Sequence, residues 1–363
     1  MSKDKMLIIR NTSELKQKSE RFVPELDVYI STITELCSIS SYEGLEKLNI
    51  CAMDSLEFND ESIIDTSYLS DLRTLNELSI ENDDHIETID LSNFPNIESL
   101  QISSCHLLKE INGINGLKNL KELIIYDIPN LDKTFYNELI IYLKSHKSIH
   151  LILDINAYVL FNEEELELLK AIGTLFSEKI GFRDNYVYTF SMMEKFNSKV
   201  LNIYYKLHRT YKTRDDILRA IYSFIKNIDY DDAALSRRHQ YALEGGTFKK
   251  FDNRYKSINS SYKALMKKSA VCEGYVNLLR YFYALEGVEL YPVFCDYKDS
   301  SHVAAKAFID GTEVYFDPEL DHRFLNSNNY MICKDDFERN HSIIYYRDNF
   351  DIIYGRKPNE RVR

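Results

Sequence analysis

The sequence predicts two architectures in succession, an α/β solenoid of short repeats followed by an α+β domain with an antiparallel sheet. Three observations support this prediction. An L-x-x-L-x-L pattern recurs at a nearly constant interval in the first half of the chain. After Asp154 the apolar period becomes helical, and later two β-prone runs flank the hairpin turn signal Asp310-Gly311.

The repeats define the first architecture. Their starts are Met53, Leu75, Ile97 and Leu120, so the spacings are 22, 22 and 23 residues. Further apolar residues between the starts would turn the chain back beneath each strand, so that stacked units share one core. A degenerate unit begins near Ile33, and residues 148–153 are predicted to be a last strand. The pattern resembles the leucine-rich-repeat family over roughly residues 25–155.

Outward positions of the repeat strands form a polar, acidic row. In a solenoid these positions line the concave face, which repeat proteins use to bind partners. The resemblance therefore implies a surface that holds a protein or peptide, and the alternative is a solvated sheet face without a partner. The residues of this predicted binding row are Glu57, Asn59, Glu77, Ser79, Glu81, Ser99, Gln101, Ser103, Glu122 and Tyr126.

Composition narrows the classes of partner and cofactor. The net charge is −12, from 45 basic and 57 acidic residues, which argues against nucleic acid or an anionic membrane as the main partner. The six cysteines form no C-x-x-C pair, so neither a zinc ribbon nor a thioredoxin-like motif is predicted. We expect no metal and no cofactor. Without a signal-peptide pattern or a long apolar run, the sequence predicts a soluble cytoplasmic protein, and delivery into a host cell stays open.

Cys272 is the first candidate for chemistry. It stands directly before an apolar run, Tyr275, Leu279 and Phe282, that has helical spacing. A cysteine at a helix N-terminus is close to unpaired amide groups and to the positive end of the helix dipole, and both stabilise a thiolate. The alternative for this residue alone is a buried structural thiol.

A hairpin supplies two further candidates. With Asp310 and Gly311 as its turn, Ala304 faces Asp317, and His302 is a diagonal neighbour of Asp317 on the same face. A cysteine at a helix start, a histidine and a carboxylate that orients the histidine are the parts of a cysteine nucleophile triad.

The order of these motifs resembles the transglutaminase-like superfamily, a branch of the papain-like cysteine enzymes. The stretches are "DILRAIYSFIKNIDYDD", "AVCEGYVNLL" and "SHVAAKAFIDGTEVYFDPELD", within roughly residues 210–325. The resemblance implies that Cys272 is the nucleophile, His302 the general base and acid, and Asp317 the residue that orients His302. The chain has no tryptophan, so the oxyanion-stabilising tryptophan of the animal enzymes has no counterpart.

The expected function is cysteine-dependent acyl transfer on a protein or peptide, of the transglutaminase or deamidase type, with the repeats selecting the partner. Two alternatives stay open: a cysteine peptidase on the same scaffold, and a non-catalytic protein-binding adaptor. His322 and His341 are expected to be surface or structural residues. The predicted domains are residues 1–157 for recognition, 158–210 as a helical connecting segment, and 211–363 for catalysis.

Overall fold

The computed structural model divides the chain into two compact units, Met1–Phe182 and Arg183–Arg363. The sequence predicts a first domain that ends at residue 157 and a connecting segment over residues 158–210. In the structure that segment is divided between the two units at residue 182. The residues that the structure describes are 6–9, 25–30, 39, 44–52, 69, 72–81, 86–105, 108–128, 130–175, 180–184, 187–243, 256–298, 300–324 and 327–343.

The first unit is built around a sheet whose strands follow one another in chain order. Its ten strands among the described residues are β1 (Met6–Ile9), β2 (Glu25–Ile30), β3 (Lys47–Ala52), β4 (Glu77–Glu81), β5 (Thr88–Asp90), β6 (Ser99–Ser103), β7 (Glu110–Asn112), β8 (Glu122–Tyr126), β9 (His150–Asp154) and β10 (Ile180–Arg183). The order in the main sheet is β1-β2-β3-β4-β6-β8-β9-β10, and the pairs from β1 to β9 are parallel. Strands β5 and β7 pair in parallel as a separate small sheet.

Two rows of apolar side chains cross the main sheet, because the strand register aligns equivalent residues of successive repeats. All of them are buried. The first row is Leu48, Leu78, Leu100, Leu123 and Leu151, and the second is Ile50, Ile80, Ile102, Ile125 and Leu153. A parallel sheet over a continuous core is thus observed, while membership of the leucine-rich-repeat family stays a prediction.

One repeat has a different phase from the one predicted. The strand that pairs with β4 is β3, and its register aligns Leu48 with Leu78. The repeat before Leu75 therefore begins near Leu45 in the structure, rather than at Met53. Residues 53–58 and the unit near Ile33 lie outside the described residues.

Short helical turns and two α-helices also belong to the described part of the first unit. The 3-10 helices are Leu91–Asn93, Ile114–Gly116 and Ile155–Leu160, and the α-helices are α1 (Lys133–Ser145) and α2 (Glu163–Leu175). Asp132 caps α1, since its carboxylate accepts a hydrogen bond from the Thr134 amide at 2.6 Å. One face of α1 is buried, including Phe135, Leu139 and Leu143.

The second unit combines helices with an antiparallel sheet of order β17-β16-β15-β14-β18. Among the described residues, no helix has the length and apolar character needed to cross a membrane. The described α-helices of the second unit are α3 (Phe190–Thr210), α4 (Arg214–Lys226), α5 (Asp232–Leu243), α6 (Ser261–Lys267), α7 (Cys272–Leu285), α8 (Pro318–Arg323) and α9 (Lys334–Glu338), with a 3-10 helix at Lys256–Asn259. Its strands are β11 (Val187–Thr189), β12 (Asp229–Tyr230), β13 (Ser269–Ala270), β14 (Leu290–Tyr297), β15 (Ser300–Ile309), β16 (Thr312–Phe316), β17 (Tyr330–Ile332) and β18 (Ser342–Ile343).

Helix α7 is the central helix of this unit. It begins at Cys272, as the apolar spacing predicted. Tyr275, Leu278 and Phe282 are fully buried, and the buried positions surround the helix rather than forming one stripe. A helix that is buried on all sides has little freedom to shift. The position of Cys272 is therefore fixed by the core.

The hairpin formed by β15 and β16 has the predicted register. Lys306 pairs with Tyr315, and Ala305 pairs with Phe316. Asp310 and Gly311 both have positive φ, as a two-residue turn of type I′ requires. The register places His302 near the end of the hairpin at which Asp317 follows β16.

We expect Gly274→Ala, in the first turn of α7, to destabilise the second unit by about 1–3 kcal/mol. A Cβ at this position would lie 2.8 Å from the Cβ of Ala270 and 3.1 Å from the carbonyl oxygen of Ile258. The matched control is Gly173→Ala in α2, where the nearest atom would be 3.7 Å from the new Cβ. Urea unfolding followed by circular dichroism measures both variants, and an unchanged midpoint for Gly274→Ala would contradict the expectation.

Candidate active site

Cys272 is the first residue of α7, and two short strands fix the chain before it. Strand β13 pairs with β12, and the Val271 amide donates to the carbonyl oxygen of Ile258 at 3.2 Å. Val271 is the N-cap residue and makes no side-chain cap. The partly exposed Cys272 thiol therefore lies in the first turn of α7, at the positive end of the helix dipole.

His302 and Asp317 form a buried hydrogen bond. Nε2 of His302 lies 2.7 Å from Oδ2 of Asp317. His302 belongs to β15 and Asp317 is the N-cap residue of α8, and the side chains are 7% and 0% exposed. The structure thus brings together two residues that the hairpin register predicted to be neighbours.

The Asp317 carboxylate is held by three donors. Oδ1 accepts a hydrogen bond from the Leu320 amide at 3.0 Å, and Oδ2 accepts from both His302 and His341. Burial by itself would raise the pKa of Asp317. The charge of His302 and the hydrogen bonds from His302, His341 and Leu320 outweigh burial and lower that pKa to about 2. Asp317 is therefore ionised at neutral pH.

Both Asp317 and Cys272 act on the pKa of His302. Burial lowers the pKa of His302, but Asp317 and a hydrogen bond with the Cys272 side chain raise it, and the net result is well above the usual range. Because Nε2 is bonded to Asp317, Nδ1 is the nitrogen that remains for the thiol. Cys272, His302 and Asp317 are thus connected in that order.

Glu319, Arg323 and Tyr230 surround this chain of contacts, and the sequence analysis singled out none of them. The Glu319 side chain is buried, and its Oε2 lies 3.4 Å from Nδ1 of His302. Arg323 donates to Glu319 at 3.1 Å, and its guanidinium lies 4.7 Å from the centre of the Tyr230 ring. Burial raises the pKa of Glu319. Burial also raises the pKa of Tyr230, and Cys272 and Glu319 add to this effect.

His341 is the residue that the sequence analysis missed most clearly. Its side chain is fully buried, its Nε2 lies 2.9 Å from Oδ2 of Asp317, and its ring stacks on Phe337. No periodicity or turn signal in the sequence connects it to Asp317. His322 has a structural role as expected, since its Nδ1 bonds the carbonyl oxygen of Lys226 at 2.8 Å.

His302, Asp317 and His341 are described better as a hydrogen-bonded group than as metal ligands. Their donor atoms all lie within 4.8 Å of one another. The two N···O distances are 2.7 and 2.9 Å, the range of charge-assisted hydrogen bonds. Two ligand atoms of a tetrahedral zinc ion would be roughly 3.3 Å apart, given bonds of about 2.0 Å.

Cys295 lies opposite His302 in the β14–β15 pair, and its Sγ contacts the carbonyl oxygen of His302 at 3.7 Å. Burial raises the pKa of the Cys295 thiol to about 12. This cysteine stays protonated at neutral pH, and it is not a second nucleophile of the site.

The predicted binding row of the first unit is only partly as expected. Glu57 and Asn59 lie outside the described residues. Ser103 is 2% exposed, so its inclusion as an exposed position was wrong: β6 ends at Ser103, and the next residue, Ser104, has positive φ. The other seven are half-buried, namely Glu77, Ser79, Glu81, Ser99, Gln101, Glu122 and Tyr126.

Several members of this row are bonded to one another or to neighbouring strands. Ser99 donates to Glu122 at 2.7 Å, Gln101 donates to Glu81, and Glu77 forms an ion pair with Lys47 at 2.7 Å. The acidic character of the row is therefore partly neutralised within the sheet.

Comparison with known proteins gives one family match. Residues 198–345 match the model of the transglutaminase-like domain. This transglutaminase-like segment contains Cys272, His302, Asp317 and His341. A solved structure described as a TGase crystal structure is also similar, with 15% identity and a TM-score of 0.31, over 42% of this chain and 38% of that one. The chain thus spans less than half of that structure's length, and the curated proteins include no match.

Proposed function

We propose that this protein is a cysteine-dependent enzyme that transfers acyl groups of proteins or peptides, with Cys272 as nucleophile. The observation that carries the proposal is the buried His302–Asp317 hydrogen bond of 2.7 Å, on the histidine whose pKa Cys272 also raises. The match of residues 198–345 to the transglutaminase-like domain supports the same chemistry.

The first half-reaction forms a thioester. The Cys272 thiolate attacks the carbonyl carbon of a carboxamide, so that a C–S bond forms and the carbonyl electrons move to oxygen. The backbone amide of Cys272, at the start of α7, is a donor for this oxyanion. His302 then protonates the leaving nitrogen as the C–N bond breaks, and ammonia or an amine departs.

The second half-reaction regenerates the thiolate. A nucleophile, either an amine or water, loses a proton to His302 and attacks the thioester, and the C–S bond breaks. An amine gives cross-linking and water gives deamidation when the substrate is a glutamine side chain. Asp317 stays ionised throughout and holds the ring of His302, since the charge of Asp317 stabilises the imidazolium.

The first unit would supply substrate selection. Its polar row on the parallel sheet suits a protein or peptide partner, and the net charge of −12 disfavours nucleic acid and anionic membranes. Assignment of the repeats to the leucine-rich-repeat family, and of this row to partner binding, are parts of the proposal. The experiment below distinguishes this proposal from the peptidase and adaptor alternatives.

The test supplies a glutamine-containing protein mixture and a biotin-labelled primary amine. We expect amine incorporation or ammonia release with the native protein, and loss of at least about 10³-fold with Cys272→Ala. Cys333→Ala is the matched control, because Cys333 is an exposed thiol of the same unit. Cleavage of a peptide bond that requires Cys272 would favour the peptidase. Absence of all three reactions, with a slowly alkylated Cys272, would favour the adaptor.

A further inference from the structure

His341 occupies a closed position behind the Asp317 carboxylate. It lies between α9 and β18, and its side chain is 0% exposed. Its ring stacks on Phe337 with a centroid distance of 4.0 Å and an interplanar angle of 2°. Nε2 is 2.9 Å from Oδ2 of Asp317, and Nδ1 is 3.0 Å from the carbonyl oxygen of Phe337.

Both polar neighbours of the His341 ring are acceptors. The carbonyl oxygen of Phe337 has no proton to donate, and neither has the ionised carboxylate of Asp317. A neutral imidazole has a single N–H, so it could donate to one of them and would direct a lone pair at the other. Both contacts are hydrogen bonds only when both nitrogens of His341 carry protons.

We propose that His341 is a positioning residue of the active site, a doubly protonated ring that holds Asp317 Oδ2 while Asp317 orients His302. The proposal rests on the function proposed above. It extends the sequence of contacts from Cys272 through His302 and Asp317 to a fourth side chain. His341 touches neither Cys272 nor a substrate in this arrangement, and it acts through Asp317 alone.

The hydrogen bonds of Asp317 explain why a second histidine matters there. Oδ2 accepts from His302 at 2.7 Å and from His341 at 2.9 Å, while Oδ1 accepts from the Leu320 amide at 3.0 Å. Donors on both sides of the carboxylate prevent its rotation about the Cβ–Cγ bond. Removal of His341 would leave a buried lone pair of Oδ2 without its donor and would loosen the orientation of His302.

Three titratable groups face the His341 ring in the described part of the second unit. Asp317 bonds it, the His302 ring lies 5.8 Å away, and the Tyr297 ring of β14 lies 5.5 Å away. The negative charge of Asp317 favours a charged His341, while a charged His302 opposes it. Across the row of contacts, the Asp317 carboxylate and a thiolate at Cys272 balance the two imidazoliums.

Two substitutions separate positioning from packing. His341→Phe keeps a flat ring on Phe337 and removes both hydrogen bonds. His341→Gln keeps a neutral N–H donor for Asp317 and removes the positive charge. The readout is the alkylation rate of Cys272 with iodoacetamide from about pH 5 to 9, which requires no substrate. His208→Gln is the control, since His208 bonds Glu286 at 2.6 Å elsewhere in the same unit.

We expect His341→Phe to reduce the alkylation rate near pH 6.5 by about 10-fold, the loss of one charge-assisted hydrogen bond. His341→Gln should restore the rate to within about threefold and should move the loss of the His302 proton to higher pH, because a nearby cation is gone. Full activity of His341→Phe, with an unchanged pH profile, would overturn the proposal and leave His341 a packing residue.

The protonation of His341 has a direct measurement. Nitrogen-15 NMR of the native protein should show protons on both ring nitrogens of His341 at neutral pH, and a single proton would overturn the proposal. Zinc binding that depends on His341 and abolishes alkylation would overturn it in favour of a metal site. The alkylation and NMR measurements give a result even when the native protein transfers no acyl group. Failure of the proposed function can therefore be distinguished from failure of the proposal for His341.

Discussion

Replacement of His302 by alanine is expected to reduce turnover by about 10⁴-fold or more, since it removes the only proton carrier of the proposed reaction. The same change should slow alkylation of Cys272 near pH 6.5 by about 10–100-fold. The reason is electrostatic: Asp317 and Cys272 raise the pKa of His302 well above its usual range despite burial. The imidazolium therefore persists at neutral pH, and in the proposed reaction its charge stabilises the attacking thiolate.

Two controls separate this effect from a loss of structure. At about pH 10 most thiols are ionised, so native protein and His302→Ala should be alkylated at similar rates if the site is intact. His208→Ala removes a histidine that bonds Glu286 at 2.6 Å, and it should leave both alkylation and turnover unchanged. Equal alkylation of native protein and His302→Ala near pH 6.5 would contradict the proposed role of His302.

The parts of the site that the sequence predicted depend on local signals. Apolar spacing after Cys272 placed a helix start there, and α7 begins at that residue. The Asp310-Gly311 turn fixed the register of β15 and β16, because a two-residue turn leaves one pairing that keeps the apolar face inside.

The parts that the sequence did not predict depend on long-range packing. His341 follows Asp317 by 24 residues, with β17 and α9 between them, and no local pattern determines where such a segment folds back. Glu319 could not be predicted from the sequence for a different reason. Strand alternation ends at Asp317, where α8 begins, so the alternation that identified Asp317 says nothing about a residue in the first turn of that helix.

The repeat phase shows the limit of a periodic pattern. Both "LEKLNI" at residues 45–50 and "MDSLEF" at residues 53–58 have the L-x-x-L-x-L form in loosened versions. Only the second keeps the 22-residue interval to Leu75, so a constant interval predicts the second. The strand β3 uses the first, so the unit before β4 is 30 residues long, from Leu45 to Leu75. A loop can absorb several residues at little cost, so spacing alone does not determine strand phase.

Asp317→Asn is expected to reduce turnover by about 10⁴-fold, because an amide in this position no longer stabilises the His302 imidazolium and presents an N–H where the rings need an acceptor.

The effect of Asp317→Asn on stability should depend on pH. The folded-state pKa of Asp317 is about 2, below the ordinary value of 3.8. A depressed carboxyl pKa contributes stability that is present above the unfolded pKa and is lost as pH falls towards the folded pKa. The contribution is roughly 2–3 kcal/mol.

At higher pH, His302 determines how the stability changes with pH. Its raised pKa contributes stability that is fully present below the unfolded value of 6.5 and is lost as pH rises through the folded pKa. The hydrogen bond between the two residues should therefore stabilise the second unit most between about pH 4 and 6.5. Hydrogen exchange of the peptide that spans residues 317–324 measures this locally, without assuming that the two units unfold together.

Asp321→Asn is the matched control, since Asp321 is a buried carboxylate of the same helix that bonds Tyr222 and Asn329 rather than a histidine. In Asp317→Asn, exchange at this peptide should be faster than in the native protein at about pH 6, and the difference should shrink as pH falls towards 2. Asp321→Asn should lower protection without removing turnover. If the exchange rates of Asp317→Asn and the native protein differed by a constant factor across pH, the ionised carboxylate would not stabilise the fold. Its role in the proposed reaction would then be confined to orienting His302.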